Sequence, residues 1–136
     1  MPIEYRIYHE QRLVVARGSG TVTDQDVFGY QRSVWSIPSV AGYNELVSMT
    51  DAQGFAVPSI GRVQELADLA ATMDHPVSES KFAIVAPDDI AFGLGRMYES
   101  CRGMNRASTK KASVFRTLPE ALRWLGIKVL PSWESV

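Results

Sequence analysis

The sequence predicts a single α/β domain built on one mixed, mainly parallel five-stranded sheet, with the helices largely on one face. Apolar segments with strand character alternate along the chain with segments whose apolar residues recur at helical spacing, which is typical of β-α-β crossovers and parallel strands. The length of 136 residues fits one domain, and 46% hydrophobic and 21% charged residues are ordinary for a globular protein. The predicted order is β-β-α-β-α-β-α-β-α.

The first two strands are predicted to form an antiparallel hairpin. Residues 3–8 alternate between apolar and polar side chains, which indicates a half-buried strand. The polar turn 10–12 leads into a second strand over 13–21. Gly18 and Gly20 weaken that strand, so they predict a bulge or the close approach of another segment.

A helix and a third strand follow. Thr23 or Asp24 is a suitable N-cap, and Pro38 ends the helix because proline cannot continue it. The apolar side chains of this helix keep a helical spacing, and Gln31 is the one member of the stripe predicted to stay out of the core. Residues 44–50 are predicted to form the third strand.

The second helix is predicted from Ser59 to Met73, with an apolar stripe that begins at Ile60. Residues 82–86 form a continuous apolar run, which predicts a fourth strand covered on both faces. If the helices collect on one face of the sheet, the other face stays partly bare. A homodimer that covers this face is therefore expected.

The third helix is predicted to begin at residues 87–89, because acidic side chains suit the positive end of a helix dipole. Its core stripe begins at Ile90 and ends at Cys101. Gly93 and Gly95 lie inside it, where each glycine costs about 1 kcal/mol relative to alanine. Close packing against the sheet is the expected reason for both.

The last strand and helix complete the order. Residues 112–116 form the strand, and Thr117 and Glu120 have the spacing of a capping box for a helix that ends at Gly126. The core of the domain therefore covers about residues 3–126. The tail 127–136 offers three apolar residues for packing: Val129, Leu130 and Trp133.

Charge and cysteine content exclude several functional classes. The net charge is −1, from 14 basic and 15 acidic side chains, so no basic face for nucleic acid is expected. The longest basic run, Lys110 and Lys111, is interpreted as a solvated loop. No integral membrane segment is predicted, so a cytoplasmic location is expected. The one cysteine, Cys101, predicts a buried thiol, and neither a metal nor another cofactor is expected.

The junction between the third strand and the second helix is the first candidate site. In open parallel sheets, ligands bind outside the carboxyl ends of the strands. The amides of Ser59, Ile60 and Gly61 at a helix start, together with the charge of Arg62, would hold an anion or a phosphorylated Ser59. The alternative is that Ser59 is only the N-cap of the helix.

A second candidate is a ligand or partner surface beside this junction. Asp51 ends the predicted third strand, and a flexible loop with Gly54 and Phe55 follows it. Phe92 and Tyr98 flank the glycines of the third helix. With Phe55, these aromatic residues would line an apolar pocket for a small molecule or lipid.

Enzymatic hypotheses receive less support from the sequence. Asp51 and Asp88 end neighbouring strands and would hold Mg²⁺, but helix capping is the simpler interpretation of Asp88 and Asp89. A hydrolase is not supported, because the sequence contains no Gly-x-Ser-x-Gly turn. Neither His9 nor His75 is placed to reach a serine nucleophile.

Three segments resemble the SpoIIAA-like group, which includes the STAS domains. They are residues 46–51, the turn 57–61 and residues 82–87, and the resemblance covers about residues 3–126. It implies a SpoIIAA-like fold. In STAS proteins an Asp-Ser-Ser-Gly type motif occupies the comparable turn, and a partner kinase phosphorylates its first serine. Here Pro58 precedes Ser59 and the glycine is displaced.

The segments 91–98, 114–117 and 121–125 are similar to a bacterial branch of this fold that is sometimes grouped with Sec14-like lipid-binding domains. The sequence therefore predicts a non-enzymatic binding or regulatory module that contacts a protein partner, or a second copy, through the strand-3/helix-2 junction. The alternative is a domain that binds a small apolar or anionic ligand, and a Mg²⁺-dependent enzyme is the least favoured hypothesis.

Overall fold

The computed structural model describes residues 2–57 and 59–128, and its elements follow the predicted order. The predicted packing of Val129, Leu130 and Trp133 lies outside these ranges. A short 3-10 turn, Pro38–Val40, precedes the third strand. The strands and helices are β1 (Ile3–Tyr8), β2 (Leu13–Thr23), α1 (Asp24–Trp35), β3 (Asn44–Ala56), α2 (Ile60–Met73), β4 (Lys81–Val85), α3 (Asp89–Met104), β5 (Lys111–Phe115) and α4 (Leu118–Leu125).

The five strands form one sheet in the order β1-β2-β3-β4-β5. β1 pairs antiparallel with β2, and every other neighbouring pair is parallel. Each of the helices α1, α2 and α3 connects a strand to the parallel strand beside it, and the connections all run toward the same edge of the sheet. Because such crossovers are right-handed, the three helices lie on one face. The predicted mixed, mainly parallel sheet is confirmed.

The sheet buries apolar side chains on both faces. Val47 and Ile84 face the layer of α1, α2 and α3, whereas Leu46 and Val85 face α4. The fourth strand is therefore covered on both faces, as its continuous apolar run predicts. The expected bare face is wrong, because Leu125 and the rest of the apolar stripe of α4 pack there. The physical reason offered for a homodimer is thereby removed, and the dimer itself stays a prediction.

β2 and β3 extend beyond the rest of the sheet. β3 continues to Ala56, so the loop predicted after Thr50 is strand instead. β4 pairs with β3 only between Glu45 and Ser48, while residues 51–56 pair with residues 19–23 of β2. These two segments, here called the β2–β3 ribbon, project past the carboxyl ends of β4 and β5.

The glycines of β2 mark the base of this ribbon. The register of β2 against β3 shifts between Arg17 and Ser19 and again between Gly20 and Thr21, and the φ of Gly20 is +62°. A Cβ on Gly18 would lie only 2.7 Å from Sδ of Met49. The predicted bulge and the predicted close approach are both confirmed.

The two glycines of α3 differ. A Cβ on Gly95 would lie 2.7 Å from Cγ2 of Val114, so the helix contacts β5 closely at that point. A Cβ on Gly93 would meet no atom within 4 Å. The packing explanation is therefore confirmed for Gly95 and wrong for Gly93, which lies on the outer side of the helix.

Three predictions of core position are wrong. Ile60 and Ile90 are each 69% exposed, since both lie in the first turn of their helices, beyond the edge of the sheet. Gln31, predicted to stay outside the core, is only 7% exposed.

The predicted ends of α1 and α4 are confirmed at Thr23 and Gly126 but not at Thr117. Thr23 caps α1 and exchanges hydrogen bonds with Asp26 in a capping box. At α4 the predicted box does not form, because Thr117 donates its hydroxyl proton to the side chain of Glu120. Gly126 ends α4 in the left-handed conformation, as predicted. Among the described helices, none is both long enough and apolar enough to cross a membrane.

Candidate functional site

A cavity of about 130 Å³ lies between the helix-bearing face of the sheet and the layer of α1, α2 and α3. Val22 and Phe55 of the β2–β3 ribbon form part of its wall at the carboxyl end of the sheet. The remaining wall comes from the sheet and from all three helices and is mainly apolar. Its chief apolar residues are Val27, Val47, Met49, Val63, Leu66, Phe82, Ile84, Ala91 and Leu94, and its residues with polar groups are Thr23, Tyr30, Gln31, Glu45 and Tyr98.

The size of the cavity limits what would fit inside it. An apolar cavity of about 150 Å³ in another protein stays dry and takes up benzene. The cavity here is slightly smaller and has a similar lining, so its volume corresponds to one six-membered ring or a short branched chain. A complete acyl chain would have to extend out of it.

Phe55 and Tyr98, two of the three aromatic residues predicted to line a pocket, do line this cavity. Phe92 is not part of the lining; it packs against the neighbouring core, and the guanidinium carbon of Arg116 lies 4.0 Å from its ring centroid. Gly54 and Asp51 lie on the β2–β3 ribbon, where Asp51 is exposed. The ribbon therefore joins the predicted surface to the cavity, although the sequence had suggested a loop there.

A buried charged cluster adjoins the cavity. The carboxylate of Glu45 is 3% exposed and accepts hydrogen bonds from Tyr30 at 2.7 Å, Trp35 at 3.1 Å and Lys110 at 3.3 Å. Nζ of Lys110 also lies 3.2 Å from the ring centroid of Trp35. Burial raises the pKa of the Tyr30 hydroxyl and lowers the pKa of the Lys110 ammonium.

A second buried ion pair holds Lys110 in place. Nη2 of Arg102 donates to both carboxylate oxygens of Asp74, at 2.7 and 2.6 Å. Asp74 also accepts the backbone N–H groups of Thr109 and Lys110 at 3.0 Å each. Nη1 of Arg102 donates to the hydroxyl of Tyr98 at 2.7 Å. This network ties the loop after α3 to the end of α2.

Sequence reasoning missed both clusters. The loop with Lys110 was predicted to be solvated, whereas Lys110 is buried against Glu45. The one available indication was Glu45 itself, a charged residue next to the apolar run at the start of β3. Buried charges need a partner, so its position called for a cation somewhere along the chain.

The strand-3/helix-2 junction is exposed and weakly charged. Ser59 occupies the N-cap position in an extended conformation, but its side chain makes no capping hydrogen bond, and Ile60 and Gly61 are exposed beside it. Arg62 is already paired with Asp24 at 2.7 Å and Glu65 at 2.6 Å.

Arg62 has a structural role at this point of the fold. Its hydrogen bond and charge lower the pKa of the Asp24 carboxyl, and its guanidinium carbon lies 4.0 Å from the ring centroid of Phe28. It therefore links the start of α2 to α1. The positive charge available to an anion at Ser59 is largely compensated by the two carboxylates.

Two of the acidic residues considered for Mg²⁺, Asp88 and Asp89, have other contacts. The carboxylate of Asp88 caps α3 by accepting the N–H groups of Ile90 and Ala91, and Asp89 pairs with Arg116 at 2.8 Å. Within residues 2–57 and 59–128, His, Cys, Asp and Glu side chains form no group of three that would hold a metal ion. The helix-capping interpretation of Asp88 is confirmed.

The histidines and the cysteine also have local partners. Nδ1 of His9 lies 2.8 Å from the hydroxyl of Tyr43, and His75 accepts backbone N–H groups of its own turn. Cys101 is buried, as predicted, and its thiol donates to Gln64 at 3.5 Å. These contacts give each side chain a structural role.

The strand order, the mixed sheet and the helix placement define a SpoIIAA-like α/β domain, as the sequence predicts. The structure is similar to the crystal structure of an uncharacterized protein of the DUF3478 family with a SpoIIAA-like fold from Shewanella loihica PV-4. The TM-score is 0.55 at 17% sequence identity, over 90% of this chain and 93% of that chain. This similarity shows the fold alone. No family model and no curated protein matches the sequence.

Proposed function

We propose that the domain is a binding module for a small apolar ligand, which occupies the cavity beneath the β2–β3 ribbon. The cavity is the observation that supports this proposal. Protein interiors are close-packed, and few of their voids are larger than a water molecule. The space of about 130 Å³ exceeds that of a single water molecule several-fold and its lining is almost wholly apolar, so a small apolar ligand would suit it better than water.

A surface groove lies next to the cavity and gives it an entrance. The groove is lined by Thr23, Asp24, Gln25, Ala56 and Val57, of which Thr23 and Val57 also line the cavity. The entrance thus lies between the start of α1 and the end of the β2–β3 ribbon. Within the described residues the outer part of the ribbon pairs only β2 with β3, so it is the element best able to move and admit a ligand.

The proposed module binds and does not catalyse. Glu45, whose side chain lines the cavity, is paired with Lys110. The hydroxyl of Tyr30 donates its proton to the same carboxylate. A general base or a nucleophile would need to be free for its substrate, and these groups are committed to one another.

Methyl NMR with fluorobenzene as the probe tests the proposal. Titration is expected to shift the methyl signals of Val47, Val63 and Leu94, which line the cavity. The signals of Leu13 and Val15, which lie in the core on the α4 face, serve as internal controls and should not move. A Val47→Phe variant fills the cavity and should abolish the shifts. Shifts confined to surface residues, or none at all, would overturn the proposal.

A second candidate function is a protein contact through the strand-3/helix-2 junction. Ile60 and Ile90 support it, because both are 69% exposed at the starts of neighbouring helices, at the same edge of the sheet. Large exposed apolar side chains that lie close together often mark an interaction surface. Ser59 lies beside Ile60, where phosphorylation would add charge to this surface.

Analytical ultracentrifugation tests the self-association form of this candidate. If a second copy binds here, changing Ile60 and Ile90 together to serine should weaken association at high protein concentration. Val77, which is 84% exposed and lies after α2, provides the matched control Val77→Ser. Equal association of both variants, or a monomeric wild-type protein, would reject a homodimer through this surface.

A further inference from the structure

We infer that the ligand is neutral and has a single hydrogen-bonding group, which the side-chain amide of Gln31 binds inside the cavity. The inference rests on the proposed function and names the chemical class of the ligand. It is carried by two polar side chains in the cavity wall whose hydrogen-bonding capacity is partly unused.

Gln31 is the first of these side chains. It lines the cavity, it is 7% exposed, and it projects from the middle of α1. Its amide N–H group makes one weak contact, to Sδ of Met73 at 3.7 Å, and its carbonyl oxygen accepts no hydrogen bond from the described residues. Because its carbonyl oxygen has no partner among the described residues and its N–H group has only a weak one, the amide offers an acceptor and a donor to a ligand.

Tyr98 is the second. Its hydroxyl oxygen accepts a hydrogen bond from Arg102 at 2.7 Å, while its own proton meets no acceptor among the described residues. Tyr98 lines the cavity and is buried, with its ring in edge contact with Phe82. Its hydroxyl proton is therefore uncommitted, next to Arg102, in a residue that lines the cavity.

The neighbouring charges are already paired with one another, which disfavours ionic ligands. Glu45 also lines the cavity, and its carboxylate already receives three donors, from Tyr30, Trp35 and Lys110. An anion in the cavity would lose its hydration without gaining a cation, because Lys110 is already paired with Glu45. A cation would have to compete with Lys110 for the same oxygens. The anionic ligand that the sequence suggested is therefore not expected in the cavity.

Volume and polarity together define the class. One six-membered ring fills the available space, and Gln31 accommodates one hydroxyl, carbonyl or amide group on it. Phenol is the simplest probe with these properties. Fluorobenzene has nearly the same shape but lacks the proton donor, and benzoate adds a negative charge.

Isothermal titration calorimetry of the three probes tests the inference. Wild-type protein is expected to bind phenol about threefold to tenfold more tightly than fluorobenzene, which is the effect of one net hydrogen bond. Benzoate should bind more weakly than both. In Gln31→Leu, a change of similar volume, phenol should fall to the level of fluorobenzene. The affinity for fluorobenzene should stay within about twofold, because an apolar side chain there does not oppose the ring.

The controls separate this inference from the proposed function. Gln64→Leu places the same change on the exposed side of α2 and should alter no affinity. Fluorobenzene binding shows in each variant that the cavity is intact, and Gln31→Met provides a second apolar replacement. Equal affinity of wild-type protein for phenol and fluorobenzene, tighter binding of benzoate, or an unchanged phenol affinity in both Gln31 variants would overturn the inference. Failure of all three probes to bind would instead overturn the proposed function.

Discussion

Adding one methylene group at Val47 should stabilise the protein, whereas the same addition at Val85 should destabilise it. Both side chains are buried in central strands of the sheet. Val47 lines the cavity, but Val85 packs in the core beneath α4. Valine and isoleucine are both β-branched, so neither substitution changes the preference of the backbone for a strand.

The packing around each side chain sets the magnitude. At Val47→Ile the new methylene enters existing space, and burying one CH₂ contributes about 0.8 kcal/mol. At Val85→Ile the surrounding core has no such space, and overpacking typically costs about 1–3 kcal/mol. The two variants should therefore differ in free energy of unfolding by at least about 2 kcal/mol.

Urea unfolding followed by far-ultraviolet circular dichroism measures this difference. With a denaturant slope of about 1–3 kcal/mol per molar urea, the midpoint of Val47→Ile should rise by about 0.3–0.8 M. The midpoint of Val85→Ile should fall. If Val47→Ile loses stability as Val85→Ile does, the space beside Val47 is already filled in solution, and the reasoning from the cavity is refuted.

Three further predictions use the same unfolding assay. Gly93→Ala should raise the free energy of unfolding by about 1 kcal/mol, because alanine favours the helix and meets open space. Gly95→Ala should lower it by about 1–3 kcal/mol, because the new Cβ clashes with Val114 of β5. Equal effects of the two variants would contradict this packing. Lys110→Met should cost about 3–5 kcal/mol because it leaves the Glu45 carboxylate buried without a cation, and adding Glu45→Gln should recover part of that loss. Burial raises the pKa of Tyr98 above its unfolded value of 10.0, so above pH 10 the unfolded state releases this proton first and stability falls by about 1.4 kcal/mol per pH unit. In Tyr98→Phe the free energy of unfolding should fall less steeply above pH 10, because this proton is absent. If it falls as steeply as in the wild-type protein, the Tyr98 hydroxyl is not buried in solution.

Much of the fold could be predicted because the strands and helices have strong local patterns. The apolar run of β4, the spacing in α2 and α3, and Gly126 at the end of α4 all reflect local chemistry that the structure retains. The β2–β3 ribbon was missed because residues 51–56 include several exposed side chains, and pairing with β2 stabilises the strand there more than burial does.

The position of α4 depends on topology instead of local sequence. Its apolar stripe, with Ala121 and Leu125, predicts burial, but the pattern does not say against which face. After β5 no further strand continues the sheet in the described part of the chain, so α4 packs on the face that the other helices leave open. The covering that was assigned to a second copy is supplied by the chain itself.

The polar wall of the cavity was hidden for a different reason. Glu45 and Lys110 are 65 residues apart in the chain, so no local pattern links them. Gln31 breaks the apolar stripe of α1 and was therefore placed in solvent, yet the helix buries it beside the cavity. A polar residue that interrupts the apolar stripe of a helix is therefore a candidate ligand contact, as Gln31 is here.

A crystal structure of the protein soaked in phenol tests the central claim most directly. The account predicts a ring in the cavity among Val47, Val63 and Leu94, with its oxygen atom within hydrogen-bonding distance of the Gln31 amide. Phenol bound only at the surface, or a cavity closed by neighbouring side chains, would contradict the account.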